Sequence, residues 1–151
     1  MKILLATDGS KHSKEAIQEL IDRNLPLGTK VHIVSAFESP ALIMSAPLSA
    51  GNMAPTYLDA EVMARKPAEV AVENAAKLLQ EGNPKLSIST AVLKGPPKHV
   101  ILQEANTFGA DLIVVGSHGL GIIGRFLLGS VSQSIALHAN CSVEIVRTHA
   151  K

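Results

Sequence analysis

The chain of 151 residues is poor in aromatic side chains, because tryptophan is absent and only one tyrosine and three phenylalanines occur. The formal net charge of +1 gives no basic field that would attract a phosphate backbone. We therefore expect no nucleic-acid partner.

Cysteine and long apolar runs are equally scarce. The single cysteine, Cys141, excludes an internal disulfide, and its place at the start of an apolar run predicts a buried structural thiol. No apolar run approaches the ~20 residues of a membrane span, and the run at residues 3–6 is too short for a signal-peptide core. The sequence predicts a cytoplasmic protein without a membrane partner, folded as one domain over residues 1–151.

Two familiar site patterns are missing. No GxxxxGK[ST] motif occurs, so the lysine and the Mg²⁺-binding hydroxyl of P-loop NTPases are absent and rapid phosphoryl transfer is not expected. The six histidines show no metal-ligand spacing, so no metal site built from side chains is predicted. His118 and Arg125 lie in a glycine-rich stretch, where each is either an exposed loop residue or a phosphate ligand.

Strand-like runs alternate with helical patterns, which predicts an α/β fold. A helix is expected after Ser10, a second over residues 57–81, a third after Pro97 and a fourth from Ser130, each covering the sheet with an apolar stripe. Pro67 should kink the second helix or start it afresh. The predicted strands are residues 2–7, 30–36, 86–94, 111–116 and 142–147.

The pattern Gly-x2-Gly-x9-Gly-Ser joins the fourth strand to the fourth helix, and it consists of Gly116, Gly119, Gly129 and Ser130. Glycines at the carboxyl end of a parallel strand let backbone N–H groups approach an anion. Ser130 and Gln133 form a capping box with Ser130 as N-cap, and the free N–H groups of that helix, with the hydroxyls of Ser130 and Ser132, suit a phosphate.

A rival pattern overlaps this one. Residues 119–124 read GLGIIG, and Glu144 follows about twenty residues later, as in dinucleotide-binding folds. That fingerprint starts its helix within the glycines and places the acid at the end of the next strand, whereas here the helix signal comes later and Glu144 lies in mid-strand. An NAD site is therefore not favoured.

The glycine pattern, together with Thr7-Asp8-Gly9-Ser10 after the first strand and the closing run of residues 141–147, resembles the universal stress protein family over essentially the whole chain. The resemblance implies a Rossmann-like, five-stranded parallel sheet of the adenine nucleotide alpha hydrolase type, in the order 3-2-1-4-5, with helices on both faces. It also implies ATP, with Mg²⁺ or Mn²⁺, as the ligand, and a homodimer paired through the last strand. The predicted nucleotide-binding residues are Thr7, Asp8, Ala36, Val115, Gly116, Gly119, Gly129, Ser130, Val131 and Ser132.

Three interpretations of the function stay open at this point. The first is a nucleotide-dependent stress-response or signalling protein without catalysis. The second is a slow ATP hydrolase, and the third is an interaction protein with a vestigial site. Residues 38–56, rich in proline, form either a lid over the adenosine side or a disordered loop. Within a dimer, Glu144 would repel its own copy or pair with Arg147 or Lys151 of the partner.

Overall fold

A computed structural model describes residues 1–39, 57–120 and 128–147 of the protein. Strands and helices alternate within them, and each strand lies within one residue of its predicted bounds. The strands are β1 (Lys2–Ala6), β2 (Lys30–Phe37), β3 (Ser87–Lys94), β4 (Leu112–Gly116) and β5 (Ser142–Val146). The helices are α1 (Lys11–Asp22), α2 (Tyr57–Gly82), α3 (Pro97–Phe108) and α4 (Ser130–His138).

All five strands are parallel and form one sheet in the order β3-β2-β1-β4-β5, which confirms the predicted topology. The central strand is β1, where Ala6 is level with Val34 of β2 on one side and Val115 of β4 on the other. The chain builds outward from β1 to β3 and then crosses to β4. This reversal between β1 and β4 opens a crevice at the carboxyl ends of these strands.

Helices cover both faces of the sheet. Successive strand residues point to opposite faces, so Leu5 joins a core cluster with Leu20 of α1 and Leu79 of α2. Its neighbour Leu4 joins a second cluster on the other face, together with Ile101 of α3 and Ile135 of α4. The two cores fix the ends of the central strands, and with them the loops that surround the crevice.

Helix α2 runs from Tyr57 to Gly82 and contains Pro67. The prediction that the helix starts afresh at Pro67 is therefore wrong. Proline removes one hydrogen bond from a helix, but Val72 and Leu79 farther along α2 are buried in the core and hold the helix on the sheet. None of the helices in the described ranges is long and apolar enough to cross a membrane.

The outer strand β5 contains Glu144, whose partner lies in the same chain. Arg23, the residue that follows α1, donates from Nη1 and Nη2 to the two carboxylate oxygens of Glu144, both at 2.7 Å. These hydrogen bonds raise the pKa of the Arg23 guanidinium above its ordinary value, with partial burial opposing them. The predicted repulsion or pairing with Arg147 or Lys151 of a second copy is thus replaced by an internal ion pair.

Two further side chains, those of His32 and Cys141, interact with neighbouring groups in or beside the core. His32 in the middle of β2 is buried, with Nδ1 at 2.8 Å from Ser89 Oγ and Nε2 at 3.0 Å from Glu104 Oε1. Cys141 is half-buried rather than buried as predicted, and its partial burial and the nearby Asp111 carboxylate raise the pKa of the thiol. Because the thiolate is the reactive form of cysteine, the raised pKa agrees with the structural role predicted for Cys141.

Candidate functional site

A crevice of about 290 Å³ lies at the carboxyl ends of β1, β2 and β4. In open α/β sheets this is where ligands bind. The structure brings all ten residues predicted from the sequence together around the crevice, which are Thr7, Asp8, Ala36, Val115, Gly116, Gly119, Gly129, Ser130, Val131 and Ser132.

Six further residues line the crevice, of which only His118 was considered from the sequence. They are Ala6, Ser13, Pro97, Ile101, His118 and Leu120. The sequence contained a signal that Pro97 lines the crevice. Pro97 lies four residues before Ile101, which faces the sheet, and residues four apart share one face of a helix. Ala6 and Ile101 are buried in the core, and each also forms part of the apolar wall of the crevice.

Packing alone requires a glycine at position 116. A Cβ at this position would lie 2.7 Å from the carbonyl carbon of His12 and 2.9 Å from the backbone N of Ser13. Because both are backbone atoms, they cannot rotate away. The absence of a side chain therefore lets the first turn of α1 lie directly against the end of β4, and it brings Ser13 to the wall of the crevice.

Asp8 connects the two loops that border the crevice. Its Oδ1 accepts from the backbone N–H of Ser10 at 2.9 Å, and its Oδ2 accepts from that of Leu120 at 3.1 Å. A Cβ on Gly119 would lie 2.8 Å from the same Oδ2. Gly119 thus admits the Asp8 carboxylate to the glycine loop, and Asp8 both stabilises the start of α1 and lies in the crevice.

The start of α4 differs from the predicted capping box. Gly129, not Ser130, is the N-cap, since its carbonyl accepts from Gln133 N at 2.9 Å and the helix begins at Ser130. Glycine is tolerated at an N-cap, so the sequence alone did not separate the two positions. The Ser132 hydroxyl, buried, donates to the carbonyls of Ser117 at 3.0 Å and Gly129 at 2.9 Å. Ser130 is exposed at the mouth of the crevice.

The end of β2 directs backbone groups of Ala36 toward the crevice. In a parallel strand, the N–H and C=O of alternate residues point to the same neighbour. Val34 accepts from Thr7 N at 2.9 Å on the β1 side, whereas Phe37 accepts from Gly95 N on the β3 side. Ala36 therefore points toward β1 like Val34. Since β1 ends at Ala6, the N–H and C=O of Ala36 are directed into the crevice.

Comparison with known proteins decides the family. The model of the universal stress protein family matches residues 1–147. A universal stress protein of Thermus aquaticus is 33% identical over an alignment of 148 positions, and the match covers 96% of this chain and 97% of that protein. The chain belongs to the universal stress protein family.

Solved structures of other universal stress proteins share the fold. One, crystallised in complex with cAMP, has a TM-score of 0.70 at 23% identity and covers 99% of this chain and 98% of its own. Another, a universal stress protein from Arabidopsis thaliana with AMP bound, has a TM-score of 0.66 at 21% identity and covers 99% of this chain and 93% of its own.

The crevice of this universal stress protein carries little charge in its described part. Of the lining residues there, Asp8 is the one carboxylate, and neither lysine nor arginine is among them. The described residues contain no group of three or more histidine, cysteine, aspartate or glutamate side chains that could hold a metal ion.

Some sequence predictions lie outside the described residues. They concern Arg125, most of the GLGIIG stretch at residues 119–124 and nearly all of the segment 38–56. The structure nevertheless argues against the rival dinucleotide interpretation. Glu144, the acidic residue that this interpretation requires, lies within β5 and is hydrogen-bonded to Arg23. The helix it requires also begins only at Ser130.

Proposed function

We propose that this protein is a small, single-domain, cytoplasmic universal stress protein that binds ATP in the crevice, and that nucleotide occupancy biases loop order and protein binding in a stress response. The observation that carries the proposal is the meeting of the glycine loop after β4 with the N-terminus of α4 at one end of the crevice. The first N–H groups of a helix lack intrahelical partners and favour an anion.

The other end of the crevice suits an adenine base. Ala36, Pro97, Ile101 and Val131 supply an apolar wall, and Ala36 offers one N–H and one C=O side by side. Adenine presents an acceptor at N1 beside a donor at N6, which complements that pair. Guanine presents its donor and acceptor in the reverse order, so the same backbone groups would not pair with guanine in the same orientation.

The middle of the crevice suits the sugar. Thr7 and Asp8 follow β1, which lies between the Ala36 end and the Gly116 end of the sheet. A carboxylate is a strong acceptor for hydroxyl groups, so we assign Asp8 to the ribose. Gly119, Gly129, Ser130 and the first turn of α4 would then hold the phosphates.

We also propose that Mg²⁺ or Mn²⁺ accompanies ATP. Mg²⁺ is usually bound through one or two carboxylates and the phosphates of a substrate. Because Asp8, the one carboxylate in the described lining, is assigned to the ribose, the phosphates and water would supply most of the cation's ligands. The cation would offset phosphate charge, since the described lining contributes no lysine or arginine.

The purified protein is expected to bind ATP more tightly than GTP, by about 10-fold, because guanine would leave the Ala36 backbone groups without partners. Isothermal titration with ATP, GTP and CTP in the presence of Mg²⁺ measures this preference. Absence of nucleotide binding, or equal affinities for ATP and GTP, would contradict the proposed site. Phosphate release from the same samples distinguishes a binding protein from the slow ATP hydrolase.

We further propose a homodimer paired through β5. Ser117 donates to Val146 O at 2.8 Å on the β4 side, so the N–H and C=O groups of Val143 and Ile145 point outward from the sheet. An unpaired strand edge of this kind is a template for another strand, and antiparallel pairing of β5 with its own copy is an isologous contact. Glu144 does not oppose this pairing, because Arg23 neutralises it within each chain.

The dimer is expected to be lost in an Ile145→Pro variant. Proline removes an outward N–H of β5 and keeps the ladder to β4, whose bonds are made by the alternate residues. Light scattering should give about twice the monomer mass of 15.9 kDa for the original protein and one monomer mass for the variant. Leu137→Ala, which trims an exposed apolar side chain of α4, is the control and should stay dimeric. A monomeric original protein at micromolar concentration would refute the interface.

A further inference from the structure

We infer that His118 sets the phosphate-chain length that the crevice accepts, by donating from Nε2 to a phosphate beyond the first. This inference rests on the proposed nucleotide site and adds a specificity-determining residue to it. It predicts that His118 favours ATP over AMP and cyclic AMP.

The first observation is an unpaired polar atom. His118 lines the crevice between Gly116 and Gly119, and its Nε2 is buried without a hydrogen-bond partner. Within the described ranges it is the one buried side-chain nitrogen or oxygen in that condition. Buried polar groups are nearly always paired in folded proteins, and leaving one unpaired costs free energy. Because Nε2 has less than 1 Å² of accessible surface, the ring has to turn toward the crevice before a ligand atom there can supply the missing partner.

The second observation assigns the chemistry of that partner. The Nδ1 atom of His118 lies 3.0 Å from the hydroxyl of Ser117, which is itself buried. Among the described residues, Ser117 Oγ has no other hydrogen-bond acceptor. We therefore assign the Ser117 hydroxyl as donor to Nδ1. A neutral imidazole carries one proton, so that proton lies on Nε2, and the missing partner is an acceptor such as a phosphate oxygen.

The third observation is the position of the ring along the crevice. A Cβ on Gly129 would lie 3.3 Å from the Cα of His118, so His118 lies beside the N-cap of α4. On its other side, the ring of His118 lies 5.0 Å from that of His12, between ring centroids, in the first turn of α1. The ring is thereby held between the starts of two helices, α1 and α4.

The spacing of the strands indicates which phosphate group of the nucleotide His118 would contact. Neighbouring strands are about 4.8 Å apart, so the β2 and β4 ends of the crevice are separated by about 10 Å. A nucleotide with its base at β2 and its ribose at β1 has its first phosphate near the β4 end and the α4 N-terminus. His118 is two residues beyond β4, where the second and third phosphates of ATP would continue.

The test compares ATP with AMP and cyclic AMP in four proteins by isothermal titration. His118→Phe keeps a ring and removes the donor, and we expect it to weaken ATP binding about 10-fold and AMP binding less than twofold. His118→Gln places an amide N–H near the original Nε2 and should restore most of the ATP affinity. His138→Asn changes an exposed histidine that bonds to its own helix, at Ser134 O, and should match the original protein.

The outcomes separate this inference from the proposed function. If the original protein binds no adenine nucleotide, the proposed function fails. If it binds ATP, and His118→Phe weakens ATP and AMP equally or weakens neither, the role of His118 is wrong while the nucleotide site stands. Urea unfolding of each variant shows that it is folded, and the ratio of ATP to AMP affinity is insensitive to a general loss of folded protein.

Discussion

Replacing Gly116 by alanine is expected to lower the free energy of unfolding by about 1–3 kcal/mol, the usual cost of overpacking a well-packed core. The added Cβ would lie 2.7 Å from the carbonyl carbon of His12 and 2.8 Å from its oxygen, so α1 must move away from β4. Helix α1 buries Ala16 and Leu20 completely in the core, and moving it loosens that face of the sheet. Urea unfolding followed by circular dichroism measures the effect.

The control is Gly28→Ala, in the turn before β2. Gly28 has a φ of +77° and nothing within 4 Å of an added Cβ, so this variant carries the strain of a left-handed residue, about 1–2 kcal/mol, without a clash. We expect Gly116→Ala to lose nucleotide affinity as well, whereas Gly28→Ala should keep it. Equal stability of Gly116→Ala and the original protein would show that α1 accommodates the methyl group.

The sequence predicted the fold because its strongest signals are local. The apolar run that became β4, Leu112–Gly116, is buried at every position, and Ser10 is the N-cap of α1, its hydroxyl accepting from Ser13 N at 3.2 Å. Buried parallel strands and capped helices leave such patterns in neighbouring residues. The order of the strands came from resemblance to a family, since periodicity does not specify which strands are neighbours.

The parts that the sequence missed depend on distant partners. Arg23 and Glu144 are 121 residues apart and form a bidentate ion pair, and no local pattern connects them. The close approach of Gly116 to His12 likewise joins two elements far apart in the chain. The glycine pattern contains residues that line the crevice, but it did not reveal that Gly116 is also needed for packing against α1, because an absent side chain serves packing and ligand approach equally well.

The glycines of the motif therefore have separable roles. None of the described glycines at positions 116, 119 and 129 has a positive φ, so each is required for space rather than for backbone conformation. Gly116 faces backbone, whereas Gly119 faces the side chain of Asp8, which can rotate. A methyl group on Gly119 should consequently change the crevice more than the stability of the fold.

Gly129→Val is expected to reduce ATP affinity about 100-fold or more, because losing two hydrogen bonds to a charged phosphate costs about 3 kcal/mol. A Cβ on Gly129 already lies 3.3 Å from both the carbonyl oxygen of Ser117 and the Cα of His118. The two methyl groups of valine would extend further among these atoms. They would disturb the bond from Gly129 N to Ser117 O, at 2.8 Å, which holds the glycine loop against the start of α4.

The series Gly129→Ala and Gly129→Val, measured by ATP titration and urea unfolding, separates crowding of the site from loss of the fold. Alanine adds the Cβ alone, at a distance that its neighbours can accommodate by a few tenths of an ångström, so its affinity should be intermediate. A folded Gly129→Val variant with undiminished ATP affinity would contradict the assignment of the α4 N-terminus to the phosphates. A graded loss of affinity with little change in the urea midpoint is the result that this assignment predicts, because Gly129 contacts the loop and helix start that border the crevice.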